Sequence, residues 1–212
     1  MLRPIGSALP LGFLSFGIGM LLLGCFAIGW IPVSEQRDVG MLLVGFVFPL
    51  ELVATIFAFL ARDTLGATTL GLFTASWLAL GLADLSAPAG TKSVALGIYL
   101  FGFATAVLLL STLSTLGKPF FSVLLLCAAV RMVLSGVYEV SAGGKAYYHV
   151  SGGFALALAA LAMYGGAALG LEDAHQREVL PLFRRGAAAE SFDGLDAQLD
   201  RLEAEAGVRQ QL

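Results

Sequence analysis

Charge is scarce in this chain. Asp, Glu, Lys and Arg make up 13% of its 212 residues, where a soluble domain carries about 25%. Histidine and cysteine number two each. Cys25 and Cys127 both lie inside apolar runs, which argues against a disulfide framework and a local metal site. Each reads as a small core residue. No HExxH, phosphate loop or nucleotide motif occurs. Glu51, His149 and Arg131 form no recognisable catalytic set. The chain is therefore not expected to be an enzyme or to hold a cofactor or metal. It has no basic excess, so nucleic acid is not an expected partner.

What is present is apolar. Hydrophobic residues make up 58% of the chain, and the mean hydropathy is +0.87. That is the composition of an integral membrane protein. A bilayer core takes roughly 20 apolar residues per helix. Six runs meet that length, at about 9–32, 39–61, 65–87, 93–115, 119–141 and 148–171. Backbone groups in lipid must be satisfied within the segment, so such runs are helices. The breaks between them are too short for a soluble domain. The expected fold is all-α, a polytopic membrane protein with six transmembrane helices in the cell membrane. The first run is too long for a signal peptide and lacks a clear cleavage site, so it is expected to be retained.

The small net charge of -3 hides an asymmetry. Residues 1–171 hold seven Lys or Arg against six Asp or Glu, and 172–212 hold five against nine. The chain divides into a six-helix transmembrane domain, 1–182, and an acidic amphipathic tail, 183–212. The Lys/Arg bias sets orientation. Arg3, Arg62, Lys118, Arg177, Arg184 and Arg185 fall on one side, and Arg37, Lys92 and Lys145 on the other. Both termini are expected in the cytoplasm. In the tail, Phe192, Leu195, Leu199, Leu202 and Ala206 recur at alternating steps of three and four. That is an apolar stripe on a helix, read either as a frayed tail or as a helix that meets its copies in an oligomer.

The residue-level interest lies in charges inside the runs. Each costs at least ~2.5–3.5 kcal/mol on insertion scales. Glu51 sits mid-run two residues after Pro49, Arg131 sits mid-run in the fifth segment, and Glu139 lies near that segment's outer end. Arg131 and a carboxylate form either a structural ion pair or a polar path in which a carboxyl carries a proton beside an anion. Pro49 removes a backbone donor, which implies either a simple kink or a stretch that faces a cavity. His149 opens the last segment as an interfacial residue or a pH sensor. Phe13, Phe16 and Met20 share one helical face, as do Thr69, Phe73 and Trp77. Such stripes are packing or a gate. The first run also carries Gly12, Gly17, Gly19 and Gly24, so it is expected to pack closely against other helices. Gly166 and Gly170 form a GxxxG, a close-packing motif in membrane helices.

Three motifs resemble the acetate uptake transporters, the succinate–acetate permease-like membrane proteins. Pro10-Leu11-Gly12 and Phe16-Gly17 resemble the family's N-terminal signature. Asp63-Thr64-Leu65-Gly66-Ala67-Thr68, followed by Phe73 and Trp77, resembles the stretch after its second helix. His149, Tyr164, Glu172 and Val179-Leu180-Pro181 resemble its last helix. The resemblance covers about residues 9–182.

That resemblance implies a homohexamer with one pore in each protomer, carrying acetate or another small carboxylate, with succinate as an additional substrate. The transport is either channel-like or proton-coupled. It implies a hydrophobic constriction of Phe16, Phe73 and Leu125, and a substrate-binding motif of Pro10, Leu11, Gly12, Thr68 and Trp77. Glu51, Arg131, Glu139 and His149 are the candidates for a proton or polar path. Ser7, Ala8, Leu9 and Ser15 depart from the signature. Phe73 stands where the family often has Tyr, Gly24 where it has Asn, and Glu51 where it has Gln. These departures fit a weaker, altered or proton-dependent anion selectivity. The alternative is a channel for small neutral solutes such as urea, short amides or ammonia.

Overall fold

Six helices long and apolar enough to cross a membrane follow the six runs. They are seen in a computed structural model that describes residues 6–175 and 177–185. The tail stripe from Phe192 to Ala206 lies outside the described residues.

Helix α1 spans Leu9–Ala27, α2 spans Val33–Leu60, α3 spans Thr64–Ser86, α4 spans Val94–Ser114, α5 spans Pro119–Val140 and α6 spans Lys145–His175. The first run was expected to be helical to residue 32, but α1 stops five residues earlier. Gly29 takes a left-handed backbone with φ 83°, and the N–H groups of Trp30 and Ile31 both donate to the Cys25 carbonyl. This is the usual glycine-based way to close a helix. Trp30 follows it, 74% exposed, as an interfacial tryptophan does. Helix α6 is longer than its apolar run. It opens on the exposed Lys145 and ends past the exposed Asp173 and the buried Glu172, whose charge is met by Arg184.

Helix α2 is not uniform. It opens with a 3₁₀ turn at Val33–Glu35, continues as α-helix, and widens into a π turn at Leu43–Val47 before Phe48–Leu60. The cause is Pro49. It has no N–H, and its ring would clash with the carbonyl of Gly45 four residues back. A π turn just ahead of the ring relieves both problems. Phe48 accordingly donates to Leu43, five residues back.

The caps are local and legible. Arg62 has φ 61°, and the Asp63 carboxylate accepts the Gly66 N–H at 3.0 Å, the standard satisfaction of an orphan donor at a helix start. The same carboxylate pairs with Lys118 at 3.0 Å, tying the start of α3 to the start of α5. The Ser93 hydroxyl caps α4 by accepting from Leu96.

Glycines set which helices touch. In lipid, helix association rests on close packing rather than on hydrophobic expulsion. At Gly40 of α2 an added Cβ would come within 2.8 Å of the Gly81 carbonyl of α3, and at Gly81 within 2.9 Å of the Gly40 carbonyl. Gly97 of α4 and Gly136 of α5 face each other in the same way, each 3.1 Å from the other's carbonyl. Between α1 and α6, Gly17 lies against Ala162 and Met163, and Gly24 against Leu156. The close packing expected of α1 is therefore present. The GxxxG of α6 does not act as a pair: Gly166 packs against Leu14 and Phe13, while Gly170 faces open space.

The helices thus pair as α1 with α6, α2 with α3 and α4 with α5, and α5 also packs on α6. Helices α3 and α4 approach at only a few points. Outward faces carry Leu, Ile, Val and Phe, as on Ile56, Phe59, Ile98, Leu109 and Val123. That is the surface a bilayer covers. After α6 the chain crosses the end of the bundle that holds the start of α1. The Tyr164 hydroxyl donates to the Pro181 carbonyl at 3.0 Å, Arg184 pairs with Glu172 at 2.6 Å, and the Arg185 N–H donates to the Gly117 carbonyl. That end is called inner below and the opposite one outer.

Candidate functional site

Aromatic rings from three helices meet at the centre of the bundle. Phe16 of α1 meets Phe73 of α3 with centroids 4.9 Å apart at 84°, and Trp77 at 5.8 Å and 70°. Phe73 in turn meets Phe103 of α4 at 5.3 Å and 76°. These are edge-to-face contacts, in which a ring's positive edge meets its neighbour's negative face. Phe73–Phe103 bridges α3 and α4, the two helices that otherwise barely touch. Gly19 makes room for the layer, because an added Cβ would stand 2.8 Å from the Trp77 ring.

On the inner side of this layer is a small cavity of about 20 Å³. Its lining includes Gly12, Phe16, Leu70, Phe73, Leu124 and Leu125. The volume is close to that of one water, and the walls offer that water almost nothing. Thr69 also borders the cavity, but its hydroxyl donates back to the Leu65 carbonyl at 2.9 Å. The structure therefore brings Phe16, Phe73 and Leu125 to one small apolar cavity. Of the other expected binding residues, Gly12 lines the cavity and Trp77 borders the aromatic layer. Pro10 and Thr68 are half-buried beyond the lining, and Leu11 is exposed.

Beside the layer lies Glu51. Its side chain is fully buried, and neither carboxyl oxygen has a hydrogen-bond partner among the described residues. The Trp77 indole N–H lies next to it, but the two miss the geometry of a full hydrogen bond. Neighbouring polar groups are already engaged. Thr55 donates to the Glu51 backbone carbonyl at 2.8 Å and shares a 3.1 Å contact with Thr74.

On the outer side is a larger cavity of about 110 Å³. Its polar lining comprises Gln36, Asp84, Thr91, Ser93, Tyr138, Glu139 and Tyr148. Most of these groups are held. The Gln36 side chain accepts the Gly90 N–H at 2.8 Å. Glu139 accepts the Ser93 N–H at 2.8 Å. Tyr138 stacks on Tyr148 at 4.4 Å, and the Lys92 ammonium sits 4.0 Å over the Tyr138 ring, a cation–π contact.

Arg131 does not neutralise Glu51. It has no carboxylate within ion-pair distance among the described residues. Glu51 points from α2 toward Trp77, whereas the electrostatic neighbour of Arg131 is Tyr148, at the outer cavity. Neither does Arg131 pair with Glu139. His149 is exposed at the start of α6, outside the cavity lining. The four residues of the expected polar path therefore occupy separate places.

Sequence reasoning missed Phe103 and Asp84. Asp84 had a signal, since it is a charge inside the third apolar run, the same test that picks out Glu51. Phe103 had none, because α4 is apolar on every face and its inward side has no periodic mark.

Taken together, the six apolar helices and the bilayer-compatible outer faces mark a multi-pass membrane protein. The chain belongs to the GPR1/FUN34/yaaH family, which it matches over residues 1–181. It is 27% identical over 187 residues to an uncharacterised protein of Methanothermobacter thermautotrophicus, covering 81% of this chain and 88% of that one. Its fold is similar to that of the bacterial acetate channel SatP, with a TM-score of 0.75 at 21% identity, covering 84% of this chain and 99% of that chain.

Proposed function

We propose that this protein carries small monocarboxylates, acetate first among them, across the cell membrane through the narrowing at Phe16, Phe73 and Leu125. The observation that carries this reading is the meeting of those three side chains around one apolar cavity of about 20 Å³. A hydrophobic constriction gates by shedding water. A small carboxylate must be stripped of its hydration there, and its neutral acid passes more easily. The fold shared with an acetate channel supports the same substrate. Succinate is a second substrate to test. Assembly as a homohexamer with one pore in each protomer, and cytoplasmic termini, belong to this proposal.

A second reading has its own observation. Glu51 lies unpartnered beside the aromatic layer, and Asp84 and Glu139 line the outer cavity. Carboxylates along a path repel an anion and suit a neutral solute such as urea or a short amide. Uptake of labelled acetate into liposomes at two pH values, with urea and ammonia in parallel, separates the two. Saturable acetate uptake, faster at the more acidic pH and well above the urea rate, is expected. Urea uptake without acetate uptake overturns the first reading in favour of the second.

A further inference from the structure

Among the described residues, Arg131 is a cation without an anion. It lies mid-helix in α5 and is 6% exposed. Its Nε has no hydrogen-bond partner, and no carboxylate stands within ion-pair distance among the described residues. Arginine has five N–H donors and no acceptor. Ionisable groups within membrane bundles face the interior or a water-filled cavity, pair with one another or with backbone carbonyls, and mark substrate and ion paths. Of the carboxylates that line the outer cavity, Glu139 holds the Ser93 N–H.

The position of Arg131 matters as much as its charge. Seven residues separate it from Leu124, two helical turns on the same face, or about 10 Å along the axis. Leu124 lines the inner apolar cavity. In the other direction its electrostatic neighbour is Tyr148, which lines the outer cavity. Along α5, Arg131 thus lies outward of the inner cavity, on the side of Tyr148, while lining neither cavity itself.

We propose that Arg131 is an anion-binding residue of the path, its guanidinium taking the carboxylate of a small monocarboxylate between the aromatic layer and the outer cavity. The planar fork matches a carboxylate bidentately. This site replaces, just outward of the narrowing, part of the hydration that the anion loses there. It also offsets the repulsion of Asp84 and Glu139. The inference rests on the monocarboxylate reading above.

The test compares wild type, Arg131→Met and Arg131→Lys in two assays, labelled acetate uptake into liposomes and thermal unfolding in detergent with and without sodium acetate, using sodium chloride as the ionic control. Replacing an unpaired buried charge by an apolar side chain of similar length is often neutral or stabilising. Arg131→Met is therefore expected to unfold at the same or a higher temperature. It should also lose acetate uptake by about tenfold or more, the cost of one strong charge-assisted contact, together with the acetate-specific rise in unfolding temperature. Arg131→Lys, with the charge but not the fork, should recover part of both. Unchanged acetate uptake by Arg131→Met overturns the proposal. So does a large fall in its unfolding temperature without acetate, which would make Arg131 a structural residue. Absence of acetate uptake by the wild type is a different failure, that of the underlying reading.

Discussion

The two cavities of this bundle are built on opposite principles. The inner one is small and walled mainly by Phe and Leu side chains. The outer one has several times its volume and a polar lining, in which Gln36 and Glu139 accept backbone N–H groups. Between them lies a layer of edge-to-face rings. Under the proposed function, the inner region would act on a solute by what it withholds, since a group passing it would have no partner for its lost water. The outer region would act by what it offers. A path through both discriminates by desolvation cost at one point and by polar contact at another. Changes at the narrowing should therefore alter rate strongly, and changes at the outer cavity should alter it weakly.

That contrast can be broken at several points. The largest effect is expected from Leu125→Trp. Leu125 is fully buried at the narrowing, and a cavity of about 20 Å³ has no room for an indole. Acetate uptake should fall by about tenfold or more, as for a closed hydrophobic gate, and uptake near the wild-type rate would remove Leu125 from the path. Phe16→Ala should act in the opposite direction. It deletes the ring that touches both Phe73 and Trp77, so acetate flux or leak should rise several-fold. Unchanged flux in liposomes would leave Phe16 as packing. Glu51→Gln should flatten the dependence of uptake on pH, because the unpartnered carboxyl beside Trp77 is replaced by a group that does not titrate. A pH profile identical to wild type would make Glu51 structural.

Smaller effects should follow at the edges. Glu139→Gln keeps an acceptor for the Ser93 N–H and changes only the charge of the outer cavity. Acetate uptake should change by less than about threefold, the scale of a partly solvated charge. A loss as large as that of Leu125→Trp would erase the difference between the two regions. The smallest change is expected from Lys118→Ala, which breaks the ion pair with Asp63. That pair is partly exposed, so the loss of stability by thermal unfolding should be about 0–1 kcal/mol.

Much of this architecture is visible in the amino-acid sequence because lipid imposes simple demands. The need to satisfy backbone groups within a segment makes the six runs helices, and Asp63 and Pro119 mark helix starts by their own chemistry. The ends of α1 and α6 were harder to read. Gly29 closes α1 inside an apolar run, and the charges of α6 extend it beyond one. The π turn of α2 has a visible cause in Pro49, but nothing in the composition says whether the ring kinks the helix or widens a turn. Which way a side chain faces was legible only where a motif fixed it, as at Phe16 and Phe73. Glu51 and Arg131 look like natural partners by charge, yet they project from α2 and α5 toward different neighbours. Rotation of a helix about its axis is set by packing, here by glycine pairs such as Gly97 with Gly136, and those pairs are hard to pick out in a chain with 26 glycines.

The central claim is that solute passes the narrowing at Leu125. The direct measurement is chemical access to that point in a transporting protein. With Cys25 and Cys127 replaced by alanine, Leu125→Cys is reconstituted in liposomes and treated with a small thiol-reactive methanethiosulfonate, with and without acetate. Modification is expected to block uptake of labelled acetate, and excess acetate is expected to slow the modification. Modification that leaves uptake intact, or uptake that continues while the thiol cannot be reached, would contradict the central claim.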